Sequence, residues 1–351
     1  MKNKKILSIV SVVLILALSI YGYKLYKDIF SENTKFTESE FYVHIPSDAR
    51  YEEVKAIISP FILDMDRFEL VANKRSYPEN VKSGRFLFKK GMNSYELVKT
   101  LRQNVPVKLA FNNQERLENV AGRVGSQIEA DSLSLMQSFK DTVFLKENGL
   151  TEADVISICI PNTYEFYWNT SALKFRDKMI KEYRKFWNES RTAKAAKLGL
   201  TPIQATTLAS IVHKETVKKD ERPRVARVYL NRLKLAMPLQ ADPTVIFAKK
   251  KQLADFDTII KRVYFNDLKI VSPYNTYVYV GLPPGPIAMP DITAIEAVLN
   301  PENNEYLYFC ASVTNFGYHE FAATLSQHGV NRKKYVAWLN QQTLEKQASQ
   351  K

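Results

Sequence analysis

The residues with the clearest capacity for chemistry lie between positions 208 and 247. Leu208, Ile211 and Val212 recur at spacings of three and four, the period of one buried helix face, and Glu215 falls on that same face. Lys214 turns away from it, while Lys218 and Lys219 follow a turn later, where the face emerges. A carboxyl pressed against apolar side chains resists ionisation, and a glutamic acid that keeps its proton near neutral pH can act as a general acid. The plain structural alternative is a glutamate paired with an arginine of the next helix, where Arg227 and Arg232 are available. That helix, residues 222–235, turns Val225, Val228, Tyr229 and Leu233 inward and has Asn231 near its end. Residues 237–244 then set Gln240, Asp242 and Thr244 among prolines that stiffen the backbone. Uncharged donors and acceptors on such a loop suit sugar hydroxyls and N-acetyl groups. The bland reading is a capped turn with Asp242 as the cap.

The surrounding elements must hold these groups in place. Residues 115–147 are helical in pattern, and residues 175–196 read as one long lysine-rich amphipathic helix that Gly199 ends. Thr201 and Pro202 start the helix that carries Glu215, with proline in the first turn, where its missing N–H costs little. Between these lies the aromatic-rich stretch 161–168, an expected loop. Its Tyr164 and Tyr167 could stack on sugar faces, whereas Phe166 and Trp168 suit the core. Residues 249–262 are basic and read as an exposed excursion. Residues 272–280 alternate as a strand carrying Asn275 and Tyr277, and Asn275 could bind an N-acetyl group or simply cap that strand. The proline-rich run 281–290 is expected to be a loop able to line a cleft. A helix over 291–300, a buried strand over 306–313 and a terminal helix over 333–347, packed through Tyr335, Val336 and Leu339, complete the chain.

The 351 residues and an ordinary apolar content allow about two domains with real cores, and the formal charge of +13 calls for an anionic partner. The N-terminus narrows the choice. Lys2, Lys4 and Lys5 precede an uncharged run, residues 6–23, close to the roughly 20 residues that span a bilayer. Lysines ahead of the span place the first five residues in the cytoplasm and the rest outside, although Lys24 and Lys27 weaken the asymmetry. A cleaved signal peptide competes, since Ala17 and Ser19 are small, but bulky tyrosines follow, which favours an anchor. A basic domain beyond the membrane argues against nucleic acid. The sequence lacks phosphate-binding glycine loops, G-x-S-x-G and H-E-x-x-H. His44, His213, His319 and His328 have no metal-ligand spacing, although His319 and His328 could meet in space. No metal or cofactor is implied. Cys159 and Cys310 could pair or remain buried thiols.

Toward the N-terminus, residues 24–40 look like a polar tether. Residues 41–45 form a strand, 51–58 and 66–74 two amphipathic helices, 84–91 a second strand, and 92–102 a helix capped by Asn93 or Ser94. The strand at 106–112 begins a larger domain.

Several blocks, in order, resemble the YceG-like family of endolytic murein transglycosylases: Lys214-Glu215-Thr216, Asn231-Arg232-Leu233, Leu239-Gln240, Asp242-Pro243-Thr244-Val245-Ile246, Tyr274-Asn275-Thr276-Tyr277, residues 281–287, and His319 with Phe321. The resemblance implies an α+β protein: a cytoplasmic tail 1–5, a transmembrane helix 6–23, a tether 24–40, a small LysM-like αβ module 41–104, and a larger mixed α+β catalytic domain 105–347 with a glycan cleft. It implies that Glu215 cuts the bond between N-acetylmuramic acid and N-acetylglucosamine inside a nascent strand. It gives substrate-binding roles to Gln240, Asn231, Asp242, Thr244, Asn275, Tyr277, Tyr164, Glu165 and His319. Peptidoglycan strands are then the substrate, a single span the membrane contact, and cell-wall synthases the expected partners. One position departs. His213 stands where members often carry an acidic residue, and it is expected to modify the surroundings of Glu215.

Overall fold

The computed structural model describes residues 2–348, with side chains from Ile6 to Glu345. The expected cytoplasmic charges on Lys2, Lys4 and Lys5 lie outside the described side chains. The first element, α1 (Lys2–Phe30), contains a 25-residue segment, Ile6–Phe30, whose most apolar 18 residues have a mean hydropathy of 2.3 with none of that window buried. At about 1.5 Å per residue this exceeds the thickness of a bilayer core. Where a tether is expected the helix instead continues to Phe30, and its end is tied down. Asn33 is fully buried, its amide donating to the Asp64 carbonyl and the Ser94 hydroxyl at 2.8 and 2.9 Å. Buried amides need such partners, which is why this polar stretch is ordered.

The chain divides into two compact units. The first runs to Leu109 and includes Gly125–Ala130 and Tyr164–Ser171. Its order is β1 (Glu40–Ile45), α2 (Tyr51–Ile58), α3 (Met65–Lys74), β2 (Gly84–Lys89) and α4 (Ser94–Thr100), close to the expected strand, two helices and strand. β1 and β2 pair antiparallel, with Glu40 opposite Lys89 and Ile45 opposite Gly84. Their inward residues Val43, Ile45, Phe86 and Phe88 pack on Val54, Phe68 and Leu97 of the helices, as a period of two on strands against a period of three to four on helices requires. Asn93 caps α4 through a reciprocal box with Glu96. β3 (Pro106–Phe111) follows, and pairs with a later strand.

The second unit contains α5 (Leu117–Gly125), α6 (Ser132–Phe139) and α7 (Thr142–Glu147), where residues 115–147 are helical but broken by Asp131 and Asp141 caps. Residues 161–168, expected as a loop, instead form β4 (Asn162–Tyr167), which from Tyr164 on belongs to the first unit and is the partner of β3; alternation along Tyr164 and Phe166 buries one face. The expected single helix over 175–196 is two, α8 (Ala172–Phe186) and α9 (Glu189–Lys197), because the Asn188 side chain caps a new helix start. Then come α10 (Pro202–Glu215), α11 (Arg222–Lys234), α12 (Asp242–Leu253), α13 (Ile292–Leu299), β5 (Tyr308–Ala311), β6 (His319–Ala322) and α14 (Leu325–Ala348). α10 is central, buried at every position from Ala205 to Val212, and α11, α12 and α13 pack around it.

Three further expectations change. Residues 272–280 are turns rather than a strand, since the Asn275 amide donates to the nearby Ile270 carbonyl and the Thr276 N–H to the Thr244 hydroxyl of α12, bonds that hold the chain bent. The strand β5 is only half-buried, being half of a two-stranded hairpin with β6. The terminal helix is not packed through Val336 and Leu339, which are 45% and 38% exposed. The proline-rich run 281–290 is largely interior: Pro283, Gly285 and residues 286–290 are buried, the Ile287 N–H donating to the Ser210 hydroxyl of α10 at 3.0 Å. At Gly285 an added Cβ would come within 2.0 Å of the Ala153 carbonyl oxygen, too close for any side chain. Gly285→Ala is therefore expected to destabilise the fold by about 1–3 kcal/mol, lowering the thermal midpoint by several degrees. A melting curve that does not move would contradict this packing.

Candidate active site

Glu215 is the last residue of α10, and the route to that position is written locally. Thr201 accepts a hydrogen bond from the Gln204 N–H at 3.2 Å while the Gln204 side chain accepts from the Thr201 N–H at 2.9 Å, with Pro202 between them. From this start the helix runs buried from Ala205 to Val212, Lys214 turns out to solvent, and the helix ends where Thr216 takes an extended conformation. The carboxyl thus sits at the negative end of a helix dipole, which disfavours its charged form.

The partner of Glu215 is neither of the arginines available in the sequence. Tyr229 of α11, 1% exposed, donates its hydroxyl to Glu215 Oε1 at 2.6 Å. Arg227 donates to the Glu302 carbonyl instead. Arg232, 8% exposed, is spent on the carbonyls of Leu307 and Leu239 at 2.7 and 2.8 Å. Burial raises the Glu215 pKa to about 7; the Tyr229 hydrogen bond pulls against this, Asp242 adds to it, and His319 and Arg232 oppose it.

Around Glu215 a cavity of about 300 Å³ opens, walled by Tyr229, Arg232, Leu239, Gln240, Asp242, Tyr277, Phe309, Cys310, Ala311, His319 and His328. Gln240 stands in left-handed backbone at φ 51°, its N–H bonded to the Thr276 carbonyl. Such a conformation in a residue with a side chain costs on the order of 1–3 kcal/mol and persists only where its surroundings impose it. Asp242 does not cap α12; its Oδ1 accepts the Tyr277 hydroxyl at 2.6 Å at the cavity wall. On the β5–β6 side, Glu221 accepts both the His319 N–H and the ring Nδ1 at 2.7 and 2.9 Å. Burial works against the Glu221 charge, but these two bonds hold its carboxyl below the usual range. They fix the imidazole at the wall.

Of the residues expected to bind substrate, Gln240, Asp242, Tyr277 and His319 therefore join Glu215 at one cavity. Asn231, Thr244 and Asn275 do not line it. Asn231 donates to the carbonyls of Asn304 and Tyr306, Thr244 is buried against Ala241 and Thr276, and Asn275 is fully buried with its amide on Leu268 and Ile270. Tyr164 is buried and Glu165 exposed on β4, and neither lines this cavity. His213 lies elsewhere too, its Nδ1 3.3 Å from Arg222 Nη2 and 3.2 Å from Asp291 Oδ1; burial pushes its pKa down against the pull of Asp291. His328 joins His319 at the wall, while both cysteines are free thiols and Cys310 lines the cavity. Among the described residues no three His, Cys, Asp or Glu side chains converge in a way that could hold a metal ion. Sequence reasoning missed Tyr229, whose signal was a hydroxyl on an otherwise apolar helix face, a group that needs a partner once buried. Glu221 and Cys310 carried no such signal.

The raised Glu215 pKa has a thermodynamic sign. Between about pH 4.5 and about pH 7 the folded chain holds a proton that the unfolded chain releases. The stabilisation is whole below that window and lost as pH rises through it. Thermal midpoints of the full chain followed from pH 4 to pH 8 should show this fall beside that of other groups, and Glu215→Gln should remove its share. Identical pH profiles for the two proteins would contradict a half-buried carboxyl that keeps its proton to about pH 7.

Known proteins share this chain's sequence and fold. An endolytic murein transglycosylase of Bacillus subtilis strain 168 is 26% identical over 347 residues, covering 92% of this chain and 91% of that protein. One from Streptococcus pneumoniae D39 is 28% identical over 298 residues, which take in 77% of this chain but 53% of the longer relative. The 2.6 Å crystal structure of a YceG-like protein from Listeria monocytogenes superposes with a TM-score of 0.54 at 26% identity, covering 84% of this chain and 99% of that one. The pattern that defines the YceG-like family matches residues 43–334, a span that takes in Glu215 and every wall of its cavity, and the chain belongs to that family.

Proposed function

We propose that this chain is a membrane-anchored endolytic murein transglycosylase in which Glu215 serves as both acid and base. The observation that carries the reading is a carboxyl at a cavity wall, held by Tyr229 and half-protonated near pH 7. Hydrolytic glycosidases ordinarily need two carboxyl groups, one to protonate the leaving oxygen and one to attack or to activate water. A transglycosylase needs one. Glu215 gives its proton to the glycosidic oxygen between N-acetylmuramic acid and N-acetylglucosamine, the C1–O bond breaks, and positive charge develops at C1. The C6 hydroxyl of the same muramic acid then attacks C1 and returns its proton to Glu215. Water is not consumed, and a 1,6-anhydro end is left.

The neighbours suit this sequence of steps. Tyr229 donates to Oε1, which leaves Oε2 to carry the moving proton. Gln240, Asp242, Tyr277 and His319 offer hydrogen bonds to sugar hydroxyls and amides, and the Asp242 charge favours the cationic stage. Thr244, through Ala241 and Thr276, and Asn275, whose Oδ1 accepts the Tyr277 N–H, support the backbone of those residues from behind. The apolar α1 suits a single span, with the rest of the chain on the extracytoplasmic side, where nascent strands emerge. Cutting there ends elongation, and the synthases that make the strands are the natural partners. The strand, two helices and strand of the first unit support a LysM-like module at the glycan.

One further reading has an observation behind it. Asp242 lines the same cavity as Glu215, as a hydrolytic muramidase with a second carboxylate would require. Mass spectrometry of digested glycan separates the two: anhydro-muramic ends are expected, and reducing muramic acid would overturn the proposal. Glu215→Gln, nearly isosteric, should lower the rate about a hundredfold or more while leaving wall binding intact, and full activity would show that the assignment is wrong. Tyr229→Phe removes a bond that stabilises the carboxylate, so the alkaline limb of the rate profile, near pH 7 in the parent, should move to higher pH. A limb that stays in place would contradict the role of Tyr229.

A further inference from the structure

Away from the cavity, one stretch of the second unit displays apolar side chains that the fold does not use. Between positions 259 and 271, Ile259 is 80% exposed, Tyr264 61%, Phe265 81% and Val271 81%. Singly exposed hydrophobic residues are ordinary; four in so short a stretch, two of them aromatic, mark an interaction surface. The stretch is built, not slack. Asp267 accepts from the Tyr264 N–H at 2.9 Å and pairs with Lys249 of α12 at 2.7 Å. The buried amide of Asn275 donates to the carbonyls of Leu268 and Ile270 at 3.0 and 2.8 Å. These bonds fix the backbone while leaving the apolar side chains outside.

The charge at this surface is cationic. Lys261, Arg262 and Lys269 are exposed, and among the described residues none of them forms an ion pair. Asp267, the acid within the stretch, is paired with Lys249, while Asp255 and the exposed Asp257 lie upstream of it. Exposed isoleucine, valine and aromatic side chains interleaved with lysine and arginine are the composition that settles at a lipid–water boundary, where rings lie at headgroup depth and cations meet anionic lipid. α1 has the length and composition of a span, so a bilayer surface is the partner at hand.

We propose that residues 259–271 form a second membrane contact, in which Ile259, Phe265 and Val271 enter the interface of an anionic bilayer while Lys261, Arg262 and Lys269 meet its headgroups. The contact is independent of the chemistry at Glu215. It would hold the second unit at the bilayer surface by a point other than the N-terminal helix.

The test uses the full chain carrying Phe265→Trp in proteoliposomes of brominated phosphatidylcholine with roughly one-third phosphatidylglycerol. The parent, with its 3 tryptophans, serves as background. The introduced indole should emit at shorter wavelength than in water and be quenched by the brominated chains. Adding Lys261→Glu and Arg262→Glu, omitting the anionic lipid, or raising salt to about 1 M should each remove at least about half of that quenching. An indole that emits as in water and is not quenched overturns the proposal. So does one shifted to shorter wavelength yet untouched by bromine, which would mean that protein covers the patch. Quenching indifferent to all three treatments would overturn the role of the cations. Unchanged circular dichroism shows that the variants fold.

Discussion

A single hydrogen bond, from the Tyr229 hydroxyl to Glu215 Oε1, sets the terms for the rest of the second unit. A carboxyl at the end of a buried helix is costly as an anion and unremarkable as an acid, so burial alone would silence it as a base. The hydroxyl, with His319 and Arg232 nearby, brings the two protonation states back toward balance near neutral pH. A group poised in this way can both give and take a proton, which is what an acid that must also act as a base requires.

The remainder of the fold maintains that balance. α10 carries no free polar group through its buried run: Thr206 and Thr207 bond back to carbonyls one turn earlier, and Ser210 receives the Ile287 N–H. Arg232 is a buried cation made tolerable by backbone carbonyls, and it thereby fastens the chain at Leu239 beside Gln240. The strained Gln240 and the Tyr277–Asp242 pair are held by a shared set of threonines, since Thr276 bonds to Gln240, Ala241 and Thr244. Asn275, one residue earlier, faces the opposite way and anchors the exposed stretch beyond α12. Adjacent residues thus serve the cavity and the outer surface.

The legible parts of this architecture are those written in local pattern. The three-and-four spacing of Leu208, Ile211, Val212 and Glu215 placed the carboxyl on the buried face of a helix, and Thr201-Pro202 located its start. The strands and helices of the first unit followed from alternation and caps. Local caps at Asp131, Asp141 and Asn188 divided two expected helical runs, and the other failures depended on partners distant in sequence. Residues 272–280 alternate like a strand, but no neighbouring strand exists to pair with them, and hydrogen bonds to Thr244 and to nearby carbonyls bend the chain instead. Residues 161–168 looked irregular for the converse reason: β3, fifty residues away in sequence, supplies the ladder. In the cavity, amides and hydroxyls near Glu215 in sequence looked alike, and only folding shows that Gln240 opens to it while Asn231 and Asn275 are spent on carbonyls. Tyr229 was assigned to the core, and it is in the core; its hydroxyl end is what the sequence did not place.

The central claim is that Glu215 is an acid in balance near neutral pH, and its carboxyl can be titrated directly. In protein labelled with carbon-13 at glutamate side-chain carboxyls, the resonance that vanishes in Glu215→Gln belongs to this group. A midpoint at about pH 7 is the result expected from its burial and its bond to Tyr229. A midpoint near 4.5, the ordinary value for a solvated glutamate, would contradict the account.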